Sequence, residues 1–266
     1  MKDSGQAGKT NNIEQKANIV SDFSKSAWAD IGFAQNYLDK ADIYIVERRK
    51  MFWFASSFLA HFFDRAKPIK LLELGCGDGV LTEELLKVNK AISATLVDGN
   101  EGMLQKARER LKNFDNLEFI KATFQDILHN AVELDKYDFC VSSMAIHHLN
   151  LREKASLFQC IASRLSPGGH FIDIDVVLPP SKELESWYFE IWMSWMNQMM
   201  KLRNVTDEVP EDQIRRYKDS ASMNQPDTLA SQLTALEKAG FVDVDCYLKN
   251  GVFVVFGGKL SASSRE

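Results

Sequence analysis

The sequence predicts an α/β domain: a doubly wound, mostly parallel sheet of seven strands with helices on both faces, a C-terminal antiparallel hairpin and a helical cap. Three observations carry this reading. Short apolar runs alternate with amphipathic stretches from Ile69 to Val177, a glycine-rich turn follows the first run, and Lys249-Asn250-Gly251 joins the last two apolar runs. Strict alternation of strand and helix requires crossover connections, hence parallel pairing and helices on both faces. Asn-Gly between apolar runs is a strong hairpin signal, so five parallel strands gain an antiparallel pair.

Taken in order, residues 1–24 are rich in Lys, Asn, Gln, Ser and Gly without periodicity and are expected to be flexible. Residues 25–66 hold two helical segments, Ala27 to Leu38 and Asp42 to Phe63, which form the cap. Pro68 breaks the pattern. Ile69 to Leu74, Ile92 to Val97, Leu117 to Ile120, Tyr137 to Ser142 and His170 to Val177 read as strands, and the stretches starting near Gly79, Glu101, Asp126 and Asn150 have helical spacing. Asn150 and Glu153 make a capping box for a helix running to Leu165, and Ser166-Pro167-Gly168-Gly169 has the residues of a type II turn. The main domain spans 67–259. It carries an insertion at 179–225, with helices at Lys182 to Leu202 and Glu211 to Asp219. The hairpin Phe241 to Leu248 and Val252 to Phe256 follows, then a flexible tail, 260–266.

Composition narrows the function classes. A chain of 266 residues with 45% hydrophobic and 26% charged content is an ordinary globular protein, long enough for one large domain with an elaboration. Lys and Arg number 32 against 37 Asp and Glu, a net charge of −5, so direct nucleic-acid binding through phosphate neutralisation is not expected. Arg48-Arg49-Lys50 and Arg215-Arg216 read as solvated helix faces. The most apolar run, Met51 to Phe63, falls short of the roughly twenty residues a membrane span needs. Cys76, Cys140, Cys160 and Cys246 form no CxxC pair and, after a hydrophilic start, read as reduced thiols of a cytoplasmic protein. The histidines show no ligand spacing with cysteine or acid, so no metal is expected.

The turn itself reads IKLLELGCGDGV from Ile69 to Val80. Glycines after a first strand let the backbone turn sharply and approach a ligand whose polar groups meet amides at the helix start. A dinucleotide fingerprint GxGxxG beginning at Gly75 would need glycine at position 80, where Val80 stands, so a nicotinamide oxidoreductase is the least favoured reading.

ELGCGDG at Glu73 to Gly79 resembles motif I of the class I S-adenosylmethionine-dependent methyltransferases. VDGNEGM at Val97 to Met103, YDFCVSSMAIHHL at Tyr137 to Leu149, LSPGG at Leu165 to Gly169 and the terminal hairpin are similar to later motifs of that superfamily, in order, between Lys67 and Lys259. The resemblance implies a Rossmann-like fold, S-adenosyl-L-methionine as cofactor and S-adenosyl-L-homocysteine as product. It also implies site roles. Glu73 and the amides of Gly75, Cys76 and Gly77 would border the methionine portion. Asp98 would accept both ribose hydroxyls, Gly99, Met103 and Phe124 would pack on the adenine, and Ser142 would lie under the methionine portion. Many relatives place an Asp after the third strand to bond the adenine; this chain has Thr123, leaving Gln125, Asp126 or a backbone group for that role.

Methyl transfer from sulfur needs alignment above all, and a base only when the nucleophile must lose a proton. His147, just past the fourth strand, and Asp175, near the carboxyl end of the fifth, are the expected catalytic residues; the alternative for the His147-His148 pair is a loop fixed by backbone hydrogen bonds. Asp173 reads as a structural acid. Tyr188, Trp192, Trp195 and Met199 form one apolar stripe in the insertion. Trp192, Trp195 and Met199 are read either as a substrate wall or as core packing, and Tyr37 as a lid contact. The expected function is transfer of a methyl group to a small-molecule acceptor. Two alternatives stay open: a tRNA-modification-related enzyme resembling the carboxy-S-adenosylmethionine synthases, and a noncatalytic cofactor-binding module.

Overall fold

The computed structural model describes residues 22–64, 66–218 and 223–262. The expected flexible N-terminus lies outside the described residues up to position 21, and the expected tail from 263. Residues 22–24 open a 3₁₀ turn, Phe23–Lys25, and Leu260 closes the last strand.

Seven strands form one sheet: β1 (Ile69–Leu74), β2 (Ile92–Asp98), β3 (Leu117–Lys121), β4 (Tyr137–Ser143), β5 (Leu165–Val176), β6 (Phe241–Asn250) and β7 (Phe253–Leu260). Their order is β3-β2-β1-β4-β5-β7-β6, parallel except where β7 runs against β5 and β6. The chain leaves β1 toward β2 and β3 on one side and returns to β4 and β5 on the other. The carboxyl ends of β1 and β4 are therefore the switch point at which such sheets open a crevice.

β5 begins four residues before the expected Ser166–Gly169 turn ends. Tyr137 pairs with Leu165 and Phe139 with His170, so the turn is held as a bulge inside the strand, with Gly168 at φ 79°. β7 approaches β5 closely: a Cβ on Gly257 would stand 2.0 Å from the Phe171 carbonyl oxygen.

Ten helices surround the sheet: α1 (Ile31–Asp39), α2 (Ala41–Tyr44), α3 (Arg48–Phe62), α4 (Val80–Val88), α5 (Glu101–Arg110), α6 (Phe124–Leu128), α7 (Leu151–Arg164), α8 (Lys182–Arg203), α9 (Pro210–Lys218) and α10 (Leu229–Lys238), counted among the described residues. Alternate strand residues point to opposite faces. Leu71, Phe139 and Ile172 pack beneath α3, α4 and α5, whereas Leu72, Cys140 and Phe171 pack beneath α6, α7 and α10. The expected helix from Asp42 to Phe63 is two helices, because Glu47 adopts the left-handed region at φ 50° and restarts the chain at Arg48. Among the described residues no helix is long and apolar enough to cross a membrane.

The N-terminal helices and the insertion meet as one cap. The Trp192 indole donates to the Tyr44 carbonyl at 2.6 Å, Arg203 pairs with Asp42 at 3.2 Å, and Lys40 pairs with Asp207 at 3.1 Å and with Glu208.

Gly257→Ala forces β7 off β5 and is expected to cost at least the roughly 1–3 kcal/mol of an overpacked core. Urea denaturation measures this, and an unchanged midpoint would contradict the close pairing.

Candidate active site

After Leu74 the turn carries Gly75, Gly77 and Gly79 at φ 67°, 53° and 75°. The amides of Gly75 and Cys76 both donate to the Val97 carbonyl, at 2.8 and 3.0 Å, folding the turn over the end of β2. A Cβ on Gly75 would lie 2.4 Å from that of Ala145, so the turn touches the loop after β4 and only glycine allows both the backbone and the contact.

The cavity at this point encloses about 1180 Å³, its open mouth included. Around it stand Glu73 with Gly75, Cys76 and Gly77; Asp98 with Gly99 and Met103; and Thr123, Phe124 and Gln125. Asp98 accepts the Gly77 amide on one oxygen and the Asn100 amide on the other, each at 2.8 Å. Burial pushes its pKa above the usual carboxylate range, against the pull of those amides. Glu73 accepts the hydroxyl and the backbone amide of Thr82, and so caps α4 from β1. Burial pushes its pKa up to about 8.

Thr123 faces the cavity but spends its hydroxyl on the α6 cap. It accepts from the Asp126 amide at 3.1 Å and donates to the Asp126 carboxylate at 2.7 Å, which ties up Asp126 as well. Ser142 is not at the cavity. It is fully buried and donates to the Leu74 carbonyl at 2.9 Å, and strand alternation puts Ser143 on the wall instead.

A roof from residues 22–48 covers the crevice; the expected cap and its lid contact Tyr37 fall within it, whereas Phe23, Trp28 and Arg48 were not expected at the site. Phe23 packs on Gly99, and Asn100 donates to the Trp28 carbonyl at 2.8 Å. The Trp28 ring meets Tyr37 edge-on at 5.0 Å and His148 at 5.7 Å. Tyr37 lines the cavity, and burial pushes its pKa up to about 12, so it keeps its proton. A signal was present: Asp22, Ser26 and Asp30 recur every four residues around Trp28, and each caps a helical turn. Arg48, read as part of a solvated face, is 8% exposed and lines the cavity.

The two histidines exchange places relative to expectation. His147 is buried away from the cavity, its Nδ1 donating to Asp175 at 2.5 Å and its amide donating to the same carboxylate at 2.8 Å. Asp175 also accepts the Val176 amide at 2.9 Å, so both residues are bound into a closed structural cluster. His148 is on the wall, and burial drives its pKa well below the ordinary imidazole value, leaving the ring neutral. Asp173 is fully buried and its carboxyl is held far above the usual range by burial and by neighbouring Asp175.

Trp192, Trp195 and Met199 do not reach the cavity either. Trp192 is buried against Phe253 at 5.1 Å and Tyr217 at 5.8 Å, and Trp195 and Met199 pack on the same core. Their stripe buttresses the roof from behind.

With this geometry in view, comparison with known proteins is decisive. The sequence pattern of a family described as "Methyltransferase domain" matches residues 65–237. The chain belongs to the methyltransferase-domain family. It is a methyltransferase domain of the S-adenosylmethionine-dependent class. It is 26% identical to the ubiquinone/menaquinone biosynthesis C-methyltransferase UbiE of Escherichia fergusonii over 71% of this chain and 72% of that protein. It is 32% identical to the malonyl-[acyl-carrier protein] O-methyltransferase of Bacillus cereus over 44% of this chain and 43% of that enzyme, and the match to an uncharacterized Synechococcus protein spans 24% of its partner. Among solved structures, an O-methyltransferase family protein from Burkholderia thailandensis superposes with a TM-score of 0.61 over 91% of this chain and 64% of that one, at 14% identity. Magnesium protoporphyrin IX methyltransferase from Synechocystis PCC 6803, solved with bound SAH, gives 0.56 over 88% and 96%, at 13% identity. At such identities the likeness to these two is one of fold.

Two outcomes follow for this methyltransferase domain. Asp175→Ala strands three donors and is expected to cost about 3 kcal/mol, with Asp175→Asn costing less; equal stability of Asp175→Ala and the parent would contradict the cluster. For Glu73, the folded chain favours the protonated form and the unfolded chain does not. Its contribution to stability is full below about pH 4.5 and is lost as pH rises through about 8. Chemical denaturation between about pH 5 and about pH 8 is expected to show a steeper decline for the parent than for Glu73→Gln.

Proposed function

We propose that the chain transfers a methyl group from S-adenosylmethionine to a small, largely apolar acceptor held under Trp28 and Tyr37. One observation carries the reading: a single cavity joins the glycine turn and Asp98 to a wall of Trp28, Met144, His148, Leu149 and Met223. The residues fit the cofactor. Each Asp98 oxygen takes one amide and keeps capacity for a ribose hydroxyl. Gly99, Met103 and Phe124 offer apolar surface to the adenine, and the positive-φ glycines leave room for the methionine portion.

When bound, the cofactor supplies an electrophilic methyl group on a positively charged sulfur. The chain's part is to align the acceptor with it and exclude water. Trp28 and Tyr37 close the crevice, the Tyr37 hydroxyl remains a donor, and neutral His148 adds its ring to the wall beside Trp28. An acceptor wall without carboxylate, ammonium or guanidinium suits an uncharged molecule. The four cysteines, all free, fit a reducing cytoplasmic setting.

Calorimetry with S-adenosylhomocysteine is expected to show binding by the parent and an affinity about 10–100-fold weaker for Asp98→Ala. Binding should also weaken as acid protonates Asp98. No binding by the parent would refute the proposal. Incubation with a methyl-labelled donor and fractionated metabolites should place label in small apolar products, and label found only in RNA or protein would overturn the acceptor class.

A further inference from the structure

The cavity is acidic, with one exception. Asp22, Asp78 and Asp98 line it, with Glu73 held protonated beside them, and among the described lining residues Arg48 is the one permanently charged cation. Arg48 comes from outside the sheet domain, at the first position of α3, immediately after the left-handed Glu47. Its side chain is 9% exposed and its guanidinium lies 4.8 Å from the centre of the Phe52 ring. Asp42 accepts from Nη1 at 3.2 Å, while Nε is buried without a partner.

The nearby carboxylates are already engaged. Asp42 also receives Arg49 at 3.0 Å and Arg203 at 3.2 Å, so one carboxylate faces three guanidinium groups. Asp78 is taken by Arg110, and Glu73 by Thr82. A buried guanidinium with an idle donor and a shared counter-charge is costly unless an anion completes it. The adjoining helix start adds to this field. Gly79, the N-cap of nine-residue α4, offers no side-chain cap of its own, and Arg49 reaches Glu84 in the middle of that helix at 3.9 Å, which sets the start of α3 alongside α4.

Resting on the proposed methyl transfer, we infer that Arg48 binds the carboxylate of the cofactor's methionine portion, and that through it the site distinguishes the cofactor from its decarboxylated form. That carboxylate is the cofactor's one anionic group, and it must enter an acidic cavity; Arg48 is the group there able to receive it. The planar fork accepts a carboxylate on the edge that Asp42 leaves open, a geometry that lysine reproduces only as a point charge. The cap thereby becomes part of the cofactor site rather than only a cover for the acceptor.

The test compares S-adenosylhomocysteine with its decarboxylated analogue by calorimetry, on the parent, R48Q and R48K. The parent is expected to prefer the carboxylate form by about tenfold or more. R48Q should lose that preference while binding the decarboxylated analogue about as well as the parent does, and R48K should keep part of it. A parent that does not distinguish the two ligands overturns the inference without any variant. So does R48Q weakening both ligands alike, the outcome of a purely structural role. If the parent binds neither ligand, the methyl-transfer reading itself falls.

Discussion

The contact between Gly75 and Ala145 is the constraint on which the site depends. It brings the turn after β1 against the loop after β4, across the point where the sheet's winding reverses. The hydrogen bonds to Val97 then fix the same turn against β2. With three strand ends locked together, the positions of Asp98, of Ser143 to Ala145 and of the start of α4 follow from one backbone arrangement. A larger residue at Gly75 would separate these ends and dissolve the site even with every polar side chain retained.

What the sequence showed clearly was whatever depends on local pattern. β1 runs from Ile69 to Leu74 as its apolar text suggests, and the carboxylate ending β2 sits beside the glycine turn. Less visible was anything decided by the direction of one side chain. His147 and His148 are adjacent and chemically alike, and only the register of β5, which brings Asp175 to His147, determines which imidazole is locked away. The same holds for Ser142 and Ser143. Thr123 and Asp126 are polar residues at a strand end, as a site would need, yet a helix start needed them too.

The cap was legible as helices but not as a site. Helical spacing in α8 identifies an apolar stripe and is silent on what the stripe meets; here it meets Phe253 and Tyr217, not the cavity. Arg48 shows the converse error. A run of three basic residues reads as a solvated face, but a break at Glu47 turns the first of them inward while Arg49 and Lys50 stay exposed. No periodicity argument detects a left-handed residue at a position occupied by glutamate.

The bond from Trp192 to the Tyr44 carbonyl joins positions 148 apart in the chain. During synthesis, Phe23, Trp28 and Tyr37 emerge early, while the buttress that holds them over the crevice is made much later. Five of the seven strands can form in between, since β1 to β5 precede α8. The contact that buttresses the roof thus cannot form before α8 has been made, and the cavity is complete only when that helix has returned to the early ones. Ligand competence in this fold accordingly depends on a segment made after the strands that carry the glycine turn and Asp98.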